Sequence, residues 1–210
     1  MSAVPLHVVP HPIALDALAE LRRKNTPPAA FRVAAHRLSM VVMTEALGDL
    51  ATEPVDIETP LGPARVPRVR DGVVLVPVLR AGLGMLDAAL ILAPTARVGY
   101  IGLRRDEDTA QPSRYYARVP EELHDSTVVL IDPMLATGGS ASAALALLKD
   151  AGARNLRLVC LVAAPEGVAM LERAHPDVAI YTPVVDQHLN DRKFIVPGLG
   201  DFGDRLFGTE

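Results

Sequence analysis

The chain has one cysteine in 210 residues, no tryptophan, and only four tyrosines and four phenylalanines. The single thiol, Cys160, excludes an internal disulfide. Its place in the apolar run LRLVCLV reads as a small buried hydrophobe, which suits a reducing compartment. With so few aromatics the core must be aliphatic, as in a buried parallel sheet covered by helices. Positive charge is not in excess either. A formal charge of −4 and a pI of about 5.9 exclude the basic field that wholesale nucleic-acid binding needs. Only Lys24, Lys149 and Lys193 are lysines, so arginine dominates the cations, and the positions of those arginines carry the information. No apolar run approaches the roughly 20 residues of a membrane span. The opening MSAVPLHVVPHPIALDAL lacks the basic segment of a secretory leader. These absences lead us to expect a cytoplasmic, soluble protein with neither nucleic acid nor membrane as partner.

What is present is patterned. Half of the residues are apolar and 22% charged, which excludes wholesale disorder, and the length fits one domain spanning 1–210. Residues 13–24 and 28–48 read as helices; in the second, Phe31, Ala34, Leu38, Val41 and Val42 recur at helical spacing. Pro60, Gly62 and Pro63 interrupt residues 55–70 between two extended candidates, a β-hairpin or arm. From residue 73 onward, apolar strands at 73–79, 97–103, 127–132, 156–164 and 177–182 alternate with helices at 83–93, 140–153 and just after Pro165. That alternation predicts an α/β fold with a mostly parallel sheet of about five strands and right-handed crossovers. Ligands of such sheets bind at the carboxyl ends of the strands. Residues 105–126 form a polar stretch without periodicity, of a length at which a structureless connection is either a functional lid or disordered.

Three segments at strand ends carry chemistry. In VVLIDPMLATGGS a strand ends at Asp132, and Gly138 and Gly139 precede a helix opening on Ser140 and Ala141. Backbone amides at a helix start, approached closely through glycines, cradle an anion. Thr137 and Ser140 add hydroxyls, and Asp132 suits ribose hydroxyls. The alternative is a tight turn with Ser140 as cap. No lysine follows the glycines, so this is not a nucleotide triphosphatase loop. In LRAGLGM, Arg80 stands beside permissive backbone where a guanidinium can pair with phosphate oxygens, or be merely solvated. Arg104 and Arg105 offer a second basic strand end, next to an acidic run that is a solvated cluster on the plainer reading. Tyr115 and Tyr116 either anchor the loop or pack. Near the C-terminus, Gly198, Gly200 and Gly203 match a dinucleotide fingerprint literally, but too few residues follow for the helix and strand it requires. Glycines there let main-chain groups reach the edge of a small planar ligand, or belong to a segment that caps the sheet. The six histidines form no metal set: Pro10 and Pro12 break the helix that would align His7 with His11.

Together these segments resemble the type I phosphoribosyltransferases, in the form of the uracil phosphoribosyltransferase family. Asp132-Pro133-Met134-Leu135-Ala136-Thr137-Gly138-Gly139-Ser140 looks like the signature for phosphoribosyl diphosphate (PRPP), with Asp-Pro where many relatives have two acidic residues. The likeness extends to Arg80-Ala81-Gly82, to Arg104-Arg105, and to the tail from Phe194 through Asp201 to Thr209. It implies the type I fold with an N-terminal helical region, a β-arm and a C-terminal base-binding hood. It implies the pentosyl transfer of uracil and PRPP to UMP and diphosphate in pyrimidine salvage. Carried over by motif, Arg80 and Arg105 bind the diphosphate, and Asp132 to Ser140 hold the 5′-phosphate and ribose. Ile195, Gly200, Asp201 and Phe202 read uracil, largely by main chain. Asp201 also reaches PRPP or its metal, and Asp132, Arg105 and Asp201 form the catalytic set. Mg²⁺ is the implied cofactor, bound mainly through PRPP. GTP activates some members and assemblies are dimeric or larger, so a GTP activator and a homo-oligomer are expected. Phe202 replaces a usual alanine, which is tolerated if uracil is read by backbone and otherwise alters the pocket shape by its bulk; Phe194 replaces a common tyrosine and loses its hydroxyl. A regulatory RNA-binding relative is the competing class; the base-reading tail and acidic pI argue against it. Transfer to another base is the competitor within the enzyme class.

Overall fold

The computed structural model describes residues 6–105, 112–121 and 123–209, with the side chains of Arg104, Arg105, Pro112 and Ser113 outside that description. The first half runs β1 (Leu6–Val8), α1 (Pro12–Arg22), α2 (Pro28–Ala46), β2 (Thr52–Thr59), β3 (Gly62–Val69), β4 (Gly72–Leu79), α3 (Leu83–Leu92), β5 (Arg97–Val98) and β6 (Tyr100–Arg105). Then follow β7 (Pro112–Arg118), β8 (Ser126–Ile131), β9 (Met134–Leu135), α4 (Gly139–Asp150), β10 (Asn155–Val159), β11 (Val162–Ala163) and α5 (Pro165–Ala174). The chain closes with β12 (Ala179–Thr182), β13 (His188–Leu189), β14 (Ile195–Val196) and α6 (Phe202–Phe207).

The main sheet has the order β1-β12-β10-β8-β4-β6-β7, with β5 also beside β4. All its pairings are parallel except β6 with β7. The central strands β4 and β8 are continuous apolar runs because both of their faces are covered. Val73 and Leu75 of β4 and Val129 and Ile131 of β8 face one core, built with α1, α2, α3 and α6. Val74, Val76, Val128 and Leu130 face the other, closed by Leu145 and Leu148 of α4 and Leu171 of α5. Helices α1, α2 and α5 start where the sequence supplies proline in the first turn, at Pro12, Pro28 and Pro165. The residue before α1, His11, caps it through Nδ1, which accepts the Ile13 N–H at 3.2 Å.

The expected alternation is present, with differences that have local causes. The expected strand over 156–164 breaks because the chain changes partners. The Cys160 N–H still donates to the Tyr181 carbonyl, whereas those of Leu161 and Val162 both donate to the Pro133 carbonyl. The strand over 97–103 is divided at Gly99, where an added Cβ would lie 3.0 Å from Val119. Within the polar stretch, residues 112–118 form β7, antiparallel to β6, and Tyr115 lays its ring so closely over Gly102 that a Cβ there would collide with it. Residues 106–111, which hold the acidic run, lie outside the described residues. The arm is a two-stranded hairpin of β2 and β3, paired from Thr52–Val69 to Thr59–Gly62. Among the described residues no helix is long and apolar enough to cross a membrane.

Candidate active site

Strands β4 and β8 lie side by side and run in parallel, so the loops after Leu79 and Ile131 meet at the same edge of the sheet. A cleft of about 240 Å³ opens there, between Arg80 and Ala81 on one wall and Asp132, Met134 to Gly138, Ser140 and Ala141 on the other. The sequence-predicted Pro133 and Gly139 do not line it. Pro133 instead faces β11 and accepts from it through its carbonyl.

The cradle wall follows from its glycines. Gly138 has φ +82°, and a Cβ there would press on the Gly167 carbonyl at 3.0 Å and Met170 Sδ at 3.2 Å. A side chain is thus disfavoured both by backbone conformation and by the packing of α5. Gly139 differs: a Cβ there would meet only Thr137 Oγ1, at 3.7 Å. The first intrahelical bond of α4 runs from the Ser142 N–H to the Gly138 carbonyl, so the earlier amides of the helix have no partner within it; that of Gly139 donates to Thr137 Oγ1 at 3.5 Å. Ser140 lies inside the helix, not at its cap, which is Gly138.

Asp132 is partly exposed on the cleft floor, just beyond the end of β8. Desolvation pushes its carboxyl up to about 6, while the Met134 backbone N–H pulls the other way. Arg80 leans toward α6, with Nη2 3.5 Å from Asp204 Oδ1 and its guanidinium 5.9 Å from the Phe207 ring centroid. Both partners of that ion pair are well exposed, so it holds Arg80 only weakly. The peptide bond between Leu79 and Arg80 is cis. The backbone of Arg105 ends β6, and its side chain lies outside the description.

A second hollow of about 260 Å³ adjoins the first, and Met134 and Ala136 line both. Its other walls include Ile195, Gly200, Asp201 and Phe202, all four residues expected to read a base. The pair Leu189–Ile195 stands next to Asn190, whose N–H donates to the Phe194 carbonyl, so Ile195 occupies a non-hydrogen-bonded position of its ladder. Its N–H and carbonyl therefore point away from β13. Asp201 caps α6, its Oδ1 accepting the Asp204 N–H at 2.9 Å. The Phe202 ring does not enter the hollow in bulk. It is 1% exposed and packs edge-on against Phe31, with centroids 5.3 Å apart. Of the two alternatives for this residue, the burial of the ring favours the one in which the pocket tolerates it, because the core takes its bulk. Phe194 is half-exposed among the lining residues.

Arg192 and Lys193, which the sequence reading passed over, line this hollow as well. They sit in a turn closed by Asn190 Oδ1, which accepts from the N–H groups of Arg192 and Phe194. The run Asn190-Asp191-Arg192-Lys193 was the available signal, since an Asn side chain that bonds forward makes such turns. The short helix α6 was also missed, because six residues are too few for periodicity to register.

A family model for uracil phosphoribosyltransferase matches residues 8–209. The uracil phosphoribosyltransferase of Natranaerobius thermophilus is 49% identical over 207 residues, covering 98% of this chain and 99% of its own. That of Dictyoglomus thermophilum is 48% identical over 205 residues, covering 97% and 99%. A solved structure of the AQ2163 protein from Aquifex aeolicus superposes with a TM-score of 0.93 at 36% identity, covering 98% of this chain and 99% of that one. The hypoxanthine phosphoribosyltransferase of Trypanosoma cruzi, at a TM-score of 0.51, 14% identity and about three quarters of each chain, shares the fold. By the extent of the family match and of these identities, the chain belongs to the uracil phosphoribosyltransferase family.

Proposed function

We propose that the chain joins uracil to the ribose of PRPP, giving UMP and diphosphate. One observation carries this: a glycine-bearing helix start with a carboxylate beside it shares a wall with a hollow lined by a glycine-rich turn. The amides of α4 and the hydroxyls of Thr137 and Ser140 hold the 5′-phosphate. Asp132 accepts hydrogen bonds from the ribose hydroxyls. Arg80 and Arg105 take up the diphosphate charge. Ile195, Gly200, Asp201 and Phe202 hold the base. In the transfer, N1 of uracil bonds to the anomeric carbon as the bond to diphosphate oxygen breaks, through an oxocarbenium-like state, and the N1 proton passes to the departing diphosphate or to water. The chain's part is positioning and charge stabilisation.

Among the described residues no group of three or more His, Cys, Asp or Glu could cage a metal. That donor set fits Mg²⁺ arriving on the phosphates of the substrate, because this ion takes one or two carboxylates plus phosphate oxygens. Asp132 and Asp201 are the carboxylates that line the two hollows. When bound, the ion neutralises diphosphate charge. Assembly into a homodimer or larger oligomer, with GTP as activator, belongs to the same reading. The exposed hairpin of β2 and β3 supports the assembly, and family membership supports GTP as a candidate; rate measurements with and without GTP test it.

The deciding experiment is diphosphate release with PRPP, Mg²⁺ and each of uracil, cytosine, adenine and guanine. Uracil presents acceptor, donor and acceptor along O2, N3–H and O4, and cytosine reverses the last two. Each mismatch leaves a buried polar group unpaired at roughly 1–3 kcal/mol. Polar-edge readers therefore discriminate by about 10⁴. Turnover with uracil alone is expected; equal kcat/KM for uracil and cytosine overturns the base-reading role of the turn.

A further inference from the structure

Behind the turn that lines the second hollow lies a closed ring of charge-assisted bonds. Asp186, shortly after β12, has a side chain only 3% exposed. Arg22 at the end of α1 grips it with both prongs, Nη1 to Oδ2 at 3.0 Å and Nη2 to Oδ1 at 2.6 Å. Oδ2 also accepts the Gly198 N–H at 2.9 Å, and Arg22 Nη1 also donates to the Gly198 carbonyl at 3.0 Å. The N–H and the carbonyl of this one residue are thus held by opposite charges. Gly198 has φ +57°, and a Cβ there would collide with the Ile195 carbonyl, so the turn admits no side chain at its pivot. One residue on, the Leu199 carbonyl accepts from Arg205 Nη1 at 2.6 Å. Both carbonyls are drawn to the back of the turn, while Gly200, Asp201 and Phe202 line the hollow.

Asp186 is fastened to the phosphate side too. Its N–H donates to the Ala163 carbonyl at 2.8 Å, and Ala163 pairs with Leu135 of the cradle loop in the β11–β9 ladder. A continuous path of hydrogen bonds therefore runs from the cradle through Asp186 to Gly198.

We propose that Arg22 and Asp186 are a positioning pair that holds the Gly198–Asp201 turn in register with the phosphate loop and so sets where the base stands relative to the anomeric carbon. The inference rests on uracil occupying the second hollow. Charge-assisted, two-pronged pairs fix geometry better than single neutral bonds. Removing one partner leaves the other charge buried and the turn unbraced. A misplacement of about 1 Å between reacting groups costs on the order of a hundredfold in rate. Neither residue need touch a substrate for that.

The test is steady-state kinetics of the full chain carrying Arg22→Ala, Arg22→Lys or Asp186→Asn, with PRPP and uracil varied in turn. For Arg22→Ala and Asp186→Asn, KM for uracil rises about tenfold or more while KM for PRPP stays within about twofold, and the preference for uracil over cytosine narrows. Arg22→Lys, which keeps the charge but not the fork, falls between. Methylguanidine added to Arg22→Ala lowers the uracil KM again. An unchanged uracil KM, or an equal rise in both constants with a lowered melting temperature, overturns the proposal and leaves a structural brace. If Asp186→Asn does not fold, the Arg22 variants carry the same readout, since that side chain is partly exposed. If the wild type itself makes no UMP from uracil, the reading of the base site has failed first, and that outcome is visible before any variant is compared.

Discussion

At the level of single residues, Asp132 pits stability against use. Burial raises its carboxyl from the ordinary 3.8 to about 6. Between those values the folded chain keeps a proton that the unfolded chain has released. The folded state binds more protons, so stability falls as pH rises through that window and stays lower above it. The loss is at most roughly 3 kcal/mol, less where cleft water screens the charge. Asp132→Asn should therefore melt higher than the wild type at pH 8 and match it near pH 3.5, while losing most of its turnover. Equal melting at both pH values would show that the carboxylate is well solvated after all. Gly139 makes the complementary case. A side chain there meets nothing closer than 3.7 Å. Gly139→Val should accordingly fold with little change in melting temperature, apart from a helix-propensity effect below roughly 1 kcal/mol, yet lose PRPP affinity by steric exclusion of the phosphate. Gly138→Val should instead unfold readily, from φ +82° and the clash with α5. Isothermal titration with PRPP beside thermal melts separates the two. The motif revealed in sequence that glycines belonged here. It could not reveal which one is packed against α5 and which stands clear of it, because the Gly167 and Met170 contacts come from a distant segment.

At the level of elements, the strands of the central sheet were legible because their apolar runs are bounded by glycine, proline and charged residues. The break at Cys160–Leu161 was not, since both halves of LRLVCLVAA are buried and a change of hydrogen-bond partner leaves no trace in hydropathy. Likewise β1 is only three residues, and its pairing with β12 is set by tertiary contact. Helix α6 is the instructive miss, for it converts an apparent anomaly of the tail into packing. Phe202 at its first position is buried against Phe31, and Leu206 one turn on joins the same core. The guanidinium of Arg205 lies 4.6 Å from the Phe31 ring centroid, on the face of an aromatic pair. Phe202→Ala thus removes chiefly a core ring, although the residue also borders the second hollow. A phenylalanine truncation in a core costs about 3–5 kcal/mol, here a fall in melting temperature on the order of 10 °C. The uracil-to-cytosine ratio of kcat/KM should persist at temperatures where the variant stays folded. A shifted ratio with normal melting would return the ring to the pocket.

At the level of the whole molecule, the chain builds outward from β4 through α3 to β5 and β6, then returns to lay β8, β10 and β12 on the other side. The point where the order reverses, between β4 and β8, is where an open α/β sheet gapes for a ligand. Arg80 and Asp132 emerge on its two sides. The sequence contains every strand of that argument but not their order, because parallel neighbours far apart along the chain need not share any local pattern. The hairpin of β2 and β3 stands apart from this plan. Neither hydrophobic core includes a residue of it among those described. Its tip, Leu61, is 99% exposed, and Ile57 and Val69 are exposed as well. Arg65 and Asp56 pair across its strands at 3.9 Å with both side chains in solvent, which contributes little. A two-stranded hairpin is marginal on its own in water. In the proposed assembly, contact with a second copy gives those apolar side chains something to cover them. Excising residues 53–68 and closing Thr52 to Val69 with a short glycine-containing turn removes no core contact, so the melting temperature of the separated chain should change by only a few degrees. Sedimentation equilibrium should then give the mass of one chain for the excised protein and a multiple for the wild type. An excised chain that keeps the wild-type mass would place the assembly surface elsewhere, and a monomeric wild type would remove the reason for the arm to exist in this form.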